Sequence, residues 1–435
     1  MKIINYLKYS RYRPANILET IKVITLNFLL IDKIKCVSFH IFRLKTPPKS
    51  SIYFNNFGRC IIYLLNTFSI IFFNKLLNKN ISTSKGFPKK FTNGNDEISW
   101  PALHHIDYQK NFNNILEQEI TERINKFYKH TLNKDYNDLS FWAENRKKFQ
   151  KYYFDDSLNI IIEKLKNFRN PQVDFSARIL KNESLENLNS RKNKFEALNL
   201  INLYHKLSEL SDLKILSNST DVNIGNPNYL NYRNQILSER FLNQIYYISQ
   251  IKNNIDLNLN NQNIFLEVGP GFGSLTKLLK NNYKKSKFIL IDLPEINILS
   301  YFFLQTSFPD AKICLSNDLS DNQDLIDENY LKRYDILILD QNDLKKIKSN
   351  LIDCTINTRS LGEMSISDQD FYIENIEKVT KRYFYSVNRF KHDNVLFSST
   401  NGYYEFKLSG EKWDKVLYKF SPTLHIETLL EKKIL

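Results

Sequence analysis

The residues best placed to do chemistry are Glu267, Gly269, Gly271 and Gly273, which alternate through the run Glu267-Val268-Gly269-Pro270-Gly271-Phe272-Gly273. The 435-residue chain has only ten glycines, and three of them fall in this stretch. Average usage would supply about thirty. The apolar run Ile264-Phe265-Leu266 precedes the acid, and Ser274-Leu275-Thr276-Lys277-Leu278-Leu279 follows with helical spacing. This predicts a strand, a tight turn and a helix whose N-terminus faces a ligand. Glycine permits positive φ and leaves no Cβ between backbone and ligand. Glu267 can accept hydrogen bonds from a cationic or hydroxyl-bearing ligand. A ligand-free tight turn would explain the same pattern, but not its concentration of scarce glycines. A second apolar run, Lys287-Phe288-Ile289-Leu290-Ile291-Asp292, ends on an acid 19 residues after Gly273. In nucleotide-binding α/β units an acid at about that distance takes the ribose hydroxyls. Asp292-Leu293-Pro294-Glu295 also reads as a helix start.

The spacing separates two cofactor classes. A dinucleotide fingerprint, G-x-G-x-x-G, needs its third glycine at position 274, which is Ser274. The order Glu-x-Gly-x-Gly-x-Gly instead resembles motif I of S-adenosylmethionine-dependent methyltransferases. That resemblance implies S-adenosylmethionine as cofactor, held by Glu267, Gly269, Gly271, Gly273, Asp292 and Leu293.

These residues need a sheet to position them. From 264 onward short apolar runs recur at 288–291, 313–315, 336–339, 351–356 and 383–387, with helical stretches at 274–282, 295–306 and 363–381. The pattern predicts an α/β fold, a Rossmann-like doubly wound sheet preceded by a helical region. Ligands then bind at the carboxyl ends of the strands, which gathers Glu267, Asp292 and Asn357. If 336–339 is the third strand, Asp340 and Gln341 flank the adenine; if 313–315 is, Asn317 and Asp318 do. The first arrangement is favoured.

Upstream, three segments follow from composition. Residues 1–95 form a basic, partly apolar extension, 96–255 a helical lid or substrate region, and 256–435 the cofactor-binding domain. Helices are expected at 116–124, 141–154, 158–168, 194–210 and 231–251, with a polar loop at 218–228. Residues 1–95 hold 16 Lys and Arg against Glu19 and Asp32 alone, so the whole net charge of +14 resides there. The remaining body carries 45 bases and 45 acids, and a nucleic-acid groove on it is unsupported. The apolar stretches 23–31 and 60–73 are shorter than the roughly 20 residues of a bilayer span. The extension therefore reads as packing helices, as a contact with the inner face of a membrane, or as a dock for a protein partner. Cys36, Cys60, Cys314 and Cys354 show no paired spacing and read as thiols of a reducing, cytoplasmic compartment.

Further motifs sharpen the resemblance. Asn357-Thr358-Arg359-Ser360-Leu361-Gly362-Glu363-Met364, followed by Phe384-Tyr385-Ser386-Val387-Asn388, is similar to the bacterial sugar O-methyltransferase family over roughly residues 97–430. The resemblance implies transfer of a methyl group to a hydroxyl of a sugar or glycan precursor in surface polysaccharide biosynthesis. A hydroxyl is a weak nucleophile and needs a base. Glu363 and His392 are the candidates; His425, in an expected final strand near the C-terminus, is a weaker one, and the adjacent pair His104-His105 is set aside because neighbouring side chains point apart on a helix or strand. Asn357 is assigned to the cofactor, and Arg359 and Ser360 to sugar hydroxyls. A divalent metal would serve the same end as a base, but no ligand set has metal spacing. Two other classes compete: a nicotinamide-dependent Rossmann enzyme, and a non-catalytic methyltransferase-fold partner of polysaccharide enzymes.

Overall fold

The computed structural model describes residues 98–99, 114–132, 141–169, 204, 215, 219, 221–227, 230–232, 235–257, 261–319, 325–388, 412–421 and 425–433. Residues 1–95, and with them the basic extension, lie outside the described residues, as do 194–203, His104, His105 and His392.

The glycine strand, β1 (Ile264–Val268), is buried along its whole length. It leads through the glycine turn into α4 (Ser274–Asn282), which is followed by β2 (Lys287–Asp292) and α5 (Pro294–Ser307). Then come β3 (Ile313–Leu315), β4 (Ile336–Asp340), β5 (Ile352–Thr358), α6 (Ile366–Val379) and β6 (Thr380–Asn388). Two long strands, β7 (Trp413–Phe420) and β8 (Ile426–Lys432), complete one eight-stranded sheet. Its order is β7-β8-β6-β5-β1-β2-β4-β3. Every neighbouring pair from β3 across to β6 is parallel, while β8 runs antiparallel to both β6 and β7.

The strands read as continuous apolar runs because both faces of the parallel sheet are covered. Alternation then sorts each strand into two cores. Phe265, Phe288, Leu290, Ile336 and Ile338 face one core, where they join residues of α4, α5 and the preceding helices α1 (Asn114–Leu132), α2 (Phe141–Tyr153) and α3 (Glu239–Asn254). Leu266, Val268, Ile289, Ile291, Leu337 and Leu339 face the other, covered by Tyr372, Ile373, Ile376 and Val379 of α6. From β1 the chain passes to β2 beside it, out to the edge strand β3, back to β4 between them, and then to the other flank of β1 with β5. The order therefore reverses between β1 and β5, where a doubly wound sheet opens a crevice at its carboxyl edge.

The expected elements need four corrections. The helix expected from 231 does not begin there: 230–232 and 235–237 pair as antiparallel strands, together with Ile98–Ser99, in a small separate sheet. Helix α3 starts after them because Ser238 is its N-cap, its hydroxyl accepting from the Phe241 amide at 3.2 Å. In the stretch 158–168, Leu158 sits at φ +59 and Phe154 bridges Ile160, so only Ile162–Leu165 forms an α-helix. A short 3-10 turn at Leu361–Glu363 precedes α6, which begins after its cap Ser365. Strand β7 has no counterpart in the predicted pattern. Of the two candidate third strands, 336–340 lies beside β2 and 313–315 forms the edge.

Candidate functional site

The carboxyl ends of β1, β2, β4 and β5 lie in register: Val268 pairs with Ile291 and with Asn357, and Asp292 pairs with Asp340. This row brings Glu267, Asp292, Asp340 and Asn357 to one edge, as the strand rule requires.

All three motif glycines hold positive φ, +69 at Gly269, +60 at Gly271 and +81 at Gly273. Their reasons differ. A Cβ at Gly269 would lie 2.0 Å from Ser360 Oγ, and one at Gly273 would lie 2.8 Å from Leu304 Cδ1. These two glycines let the turn press against β5 and α5. At Gly271 the nearest atom is the tip of a side chain, Arg240 Nη1, at 3.3 Å. Gly271 therefore faces the open side of the turn.

Asp292 lies beside it. Its Oδ2 accepts from the Gly271 amide at 3.2 Å and its Oδ1 from the Leu293 amide at 2.8 Å. Leu293, not Asp292, is the N-cap of α5, with Pro294 in the first turn. Each carboxylate oxygen has two lone pairs, so both keep capacity for hydroxyl donors. Burial, with Glu267 and Glu295 close by, pushes the Asp292 carboxyl up to about 7. Glu267 is buried and accepts from Thr276 Oγ1 at 2.6 Å, so it stitches β1 to the first turn of α4. Desolvation pushes its carboxyl up to about 7 against the pull of Arg240.

On the β4 flank Asp340 is fully buried, and its amide donates to Ser316 Oγ at 2.7 Å. Asn297 ties this corner together by donating to the carbonyls of Asp292 and Leu339, at 3.2 and 3.0 Å. Gln341 opens the 3-10 turn Gln341–Lys346 just beyond. Asp318, the alternative to Asp340, instead accepts from the Leu315 amide and pairs with Arg123 at the sheet edge.

On the β5 flank several expected ligand contacts turn inward. Asn357 Nδ2 donates to the Val268 carbonyl and to Ser360 Oγ, and its Oδ1 accepts from Asn388 and the Leu361 amide. Ser360 Oγ donates to the Val268 carbonyl at 3.1 Å. Both side chains hold the glycine turn in place. Arg359 holds φ +71, its amide donating to the Val387 carbonyl at 2.7 Å and its guanidinium to Tyr247 Oη at 3.3 Å. The backbone of Glu363 ends the turn after β5, and nothing of its side chain is described.

No family model and no curated protein matches the sequence. Among solved structures, the chain is similar to a SAM dependent methyltransferase from Aquifex aeolicus, at 14% identity over 45% of this chain and 94% of that one, with a TM-score of 0.30. It is similar to magnesium protoporphyrin IX methyltransferase from Synechocystis with bound SAH, at 12% identity over 45% and 84%, TM-score 0.30. A third is the O-methyltransferase family 2 protein from Planctomyces limnophilus in complex with apigenin, at 12% identity over 41% and 52%, TM-score 0.28; this chain spans about half of its length. Overlaps this partial carry no argument about activity, which rests on the site itself.

Sequence reasoning missed the contribution of α3. Arg240 lies over Phe272 with its guanidinium carbon 4.9 Å from the ring centroid, and Arg169 lies at the same distance. Arg169 is committed elsewhere: it is buried, pairs with Asp221 at 2.8 Å and donates to the Val222 carbonyl. Two turns beyond Arg240, Tyr247 meets Arg359. Gln244, between them, donates to Ser274 Oγ and locks α3 to α4. A helix lying across the glycine turn from outside the sheet has no local signature. The available hint was an arginine just after a Ser cap. Among the described residues no group of three or more His, Cys, Asp and Glu could hold a metal ion, and no helix is long and apolar enough to cross a membrane. Cys314 and Cys354 are buried free thiols.

Proposed function

We propose that this protein is an S-adenosylmethionine-dependent methyltransferase whose acceptor is a hydroxyl of a sugar or glycan precursor. The carrying observation is Gly271: a positive-φ glycine at the strand-order reversal, open outward, with its amide on the carboxylate of Asp292. An adenosyl ligand fits this arrangement. Asp292 has lone pairs for the two ribose hydroxyls, Gly271 leaves room for the chain between ribose and sulfur, and Asp340 and Gln341 border the adenine. A dinucleotide fits less well. Its fingerprint needs a glycine at 274 for close packing of helix on strand, and there Ser274 is buried and takes a hydrogen bond from Gln244.

S-Adenosylmethionine supplies, when bound, a methyl group activated by a sulfonium. This chain's residues do the rest. Asp292 anchors the ribose, the glycine turn aligns the donor, and Arg359 at the end of β5 orients the acceptor. Holding the reacting atoms in line lowers the barrier by removing orientational freedom. Glu363 or His392 takes the proton from the acceptor hydroxyl. The sugar acceptor is supported by the Asn-Thr-x-Ser-x-x-Glu-Met and Phe-Tyr-Ser-x-Asn motifs.

Calorimetric titration of the full chain with S-adenosylmethionine and, separately, NADH tests the reading. Micromolar binding of the first alone is expected; binding of NADH, or of neither, overturns it. Gly271→Arg should abolish cofactor binding in a folded protein, and unchanged affinity would refute the site assignment.

A further inference from the structure

The core on the α6 face of the sheet carries one hydroxyl that the protein itself does not use. Tyr372 of α6 is 5% exposed and belongs to the cluster that holds Ile291 and Leu339. Among the described residues its phenolic oxygen meets no donor or acceptor. It is also not one of the polar atoms sealed from solvent without a partner, as Trp413 Nε1 and Thr428 Oγ1 are, so it reaches the accessible surface. A nearly buried hydroxyl with no partner calls for an explanation. The fold gives its direction. Helix α6 follows β5 through the short turn at Leu361–Glu363, so its N-terminus stands at the carboxyl edge of the sheet. Side chains on a helix lean toward its N-terminus, which sends the Tyr372 phenol toward that edge. Its neighbour Phe371, with ring centroids 5.4 Å apart, lies against the turn beyond β4, where Lys345 Nζ is 5.1 Å from the Phe371 ring. Burial raises the pKa of the phenol, and the carboxylates of Asp292, Asp368 and Asp340 raise it further, so it remains a proton donor in the neutral range.

We propose that the Tyr372 hydroxyl donates a hydrogen bond to a ring nitrogen of the cofactor's adenine. The inference rests on the cofactor reading above and adds to it a contact from α6, on the face of the sheet opposite α3. Asp292 at the end of β2 takes the ribose, and Asp340 with Gln341 borders the base, so the base lies between the two carboxylates whose charge reaches the phenol. Ionised carboxylates only accept hydrogen bonds. The ring nitrogens of adenine are acceptors as well, and they need a donor at this place. The phenol supplies one that is neutral, and because neither carboxylate takes its proton, that proton is left for the base. Tyr372 is a binding residue in this scheme.

The test separates binding from folding and the base from the rest of the ligand. S-Adenosylhomocysteine and 5′-methylthioadenosine share the adenosine and differ in the amino-acid arm. Both are titrated calorimetrically into the wild-type full chain and into Tyr372→Phe, with thermal melts of the ligand-free proteins. Tyr372→Phe should weaken both ligands by a similar factor, roughly 3- to 10-fold, the scale of one neutral hydrogen bond. It should leave the melting temperature unchanged or higher, because the hydroxyl has no partner to lose among the described residues. The 1-deaza, 3-deaza and 7-deaza forms of S-adenosylhomocysteine, each with one ring nitrogen replaced by C–H, are titrated into the same two proteins. One of them should bind wild type and Tyr372→Phe equally, while the other two lose the same factor as the parent ligand. Unchanged affinity for both parent ligands, or a lowered melting temperature, would make the hydroxyl idle or structural. Weakening confined to S-adenosylhomocysteine would put it on the arm, and equal sensitivity of all three deaza forms would take it off the ring. Each of these overturns the proposal. Failure of the wild-type chain to bind S-adenosylhomocysteine overturns the cofactor reading itself and this proposal with it.

Discussion

The contact between Gly269 and Ser360 can be measured as a coupling. An alanine at 269 brings two penalties. At φ +69 a side chain costs about 1–2 kcal/mol. Its Cβ would also lie 2.0 Å from Ser360 Oγ and 2.2 Å from Ser360 Cβ. Forcing that overlap into a packed site costs about 1–3 kcal/mol more. Gly269→Ala should therefore destabilise the protein by about 2–5 kcal/mol. In a Ser360→Gly background the nearest remaining atom is the 360 Cα at 3.7 Å, an ordinary contact. The same alanine should then cost only the backbone share of about 1–2 kcal/mol. The difference, about 1–3 kcal/mol, is the interaction energy of a double-mutant cycle, read by chemical denaturation of the four proteins. Gly271→Ala is the control: its Cβ would meet only Arg240 Nη1 at 3.3 Å, and it should lose about 1–2 kcal/mol in either background. If Gly269→Ala costs the same with Ser360 as with glycine, the turn is not wedged against β5 and the reasoning fails.

The cleft should also titrate. Asp292 and Glu267 are raised to about 7, so the fold binds extra protons between the ordinary carboxylate range and pH 7, and thermal stability without ligand should fall as pH rises through that window and level off above it. Ribose hydroxyls favour the ionised carboxylate, so S-adenosylhomocysteine should bind more tightly at pH 8 than at pH 6 with release of protons, seen by calorimetry in buffers of different ionisation enthalpy; the opposite trend would remove Asp292 from the ribose site. Arg146 Nε donates to both oxygens of buried Glu295 at 3.0 Å and pins α2 to the start of α5. Arg146→Ala should destabilise by about 1–3 kcal/mol at pH 8 and by less as the pH falls, because burial already raises the Glu295 carboxyl and loss of Arg146 raises it further; Glu295→Gln in the same background should remove that pH dependence in denaturation experiments.

The glycine turn was legible because its signals are local: a run of scarce glycines, an apolar strand before it, an amphipathic helix after it. Asp292 followed for the same reason, standing at a set distance at the end of the next buried strand. What the linear pattern hid was direction. Asn357 and Ser360 lie at the carboxyl end of β5 and just beyond it, but their hydrogen bonds go to Val268, Leu361 and Asn388, partners fixed only when β1, β5 and β6 align. Arg240 was hidden by distance, since its neighbour Gly271 lies in another element. The strands at 230–232 and 235–237 read as part of α3 because a short apolar pair such as Ile236-Leu237 suits either period, and the Ser238 cap decided the boundary.

Strand β5 has a consequence for how the protein tolerates change. Asn357 serves Val268, Ser360, Leu361 and Asn388 at once, and Ser360 fills the space that Gly269 leaves open. A single substitution at any of these positions strands a buried partner or collides with one. Positions 269, 357, 360 and 388 should therefore drift as one block among descendants of this sequence. The neighbouring Arg359, whose guanidinium crosses to Tyr247 of α3, is tied instead to that helix and stands outside the block.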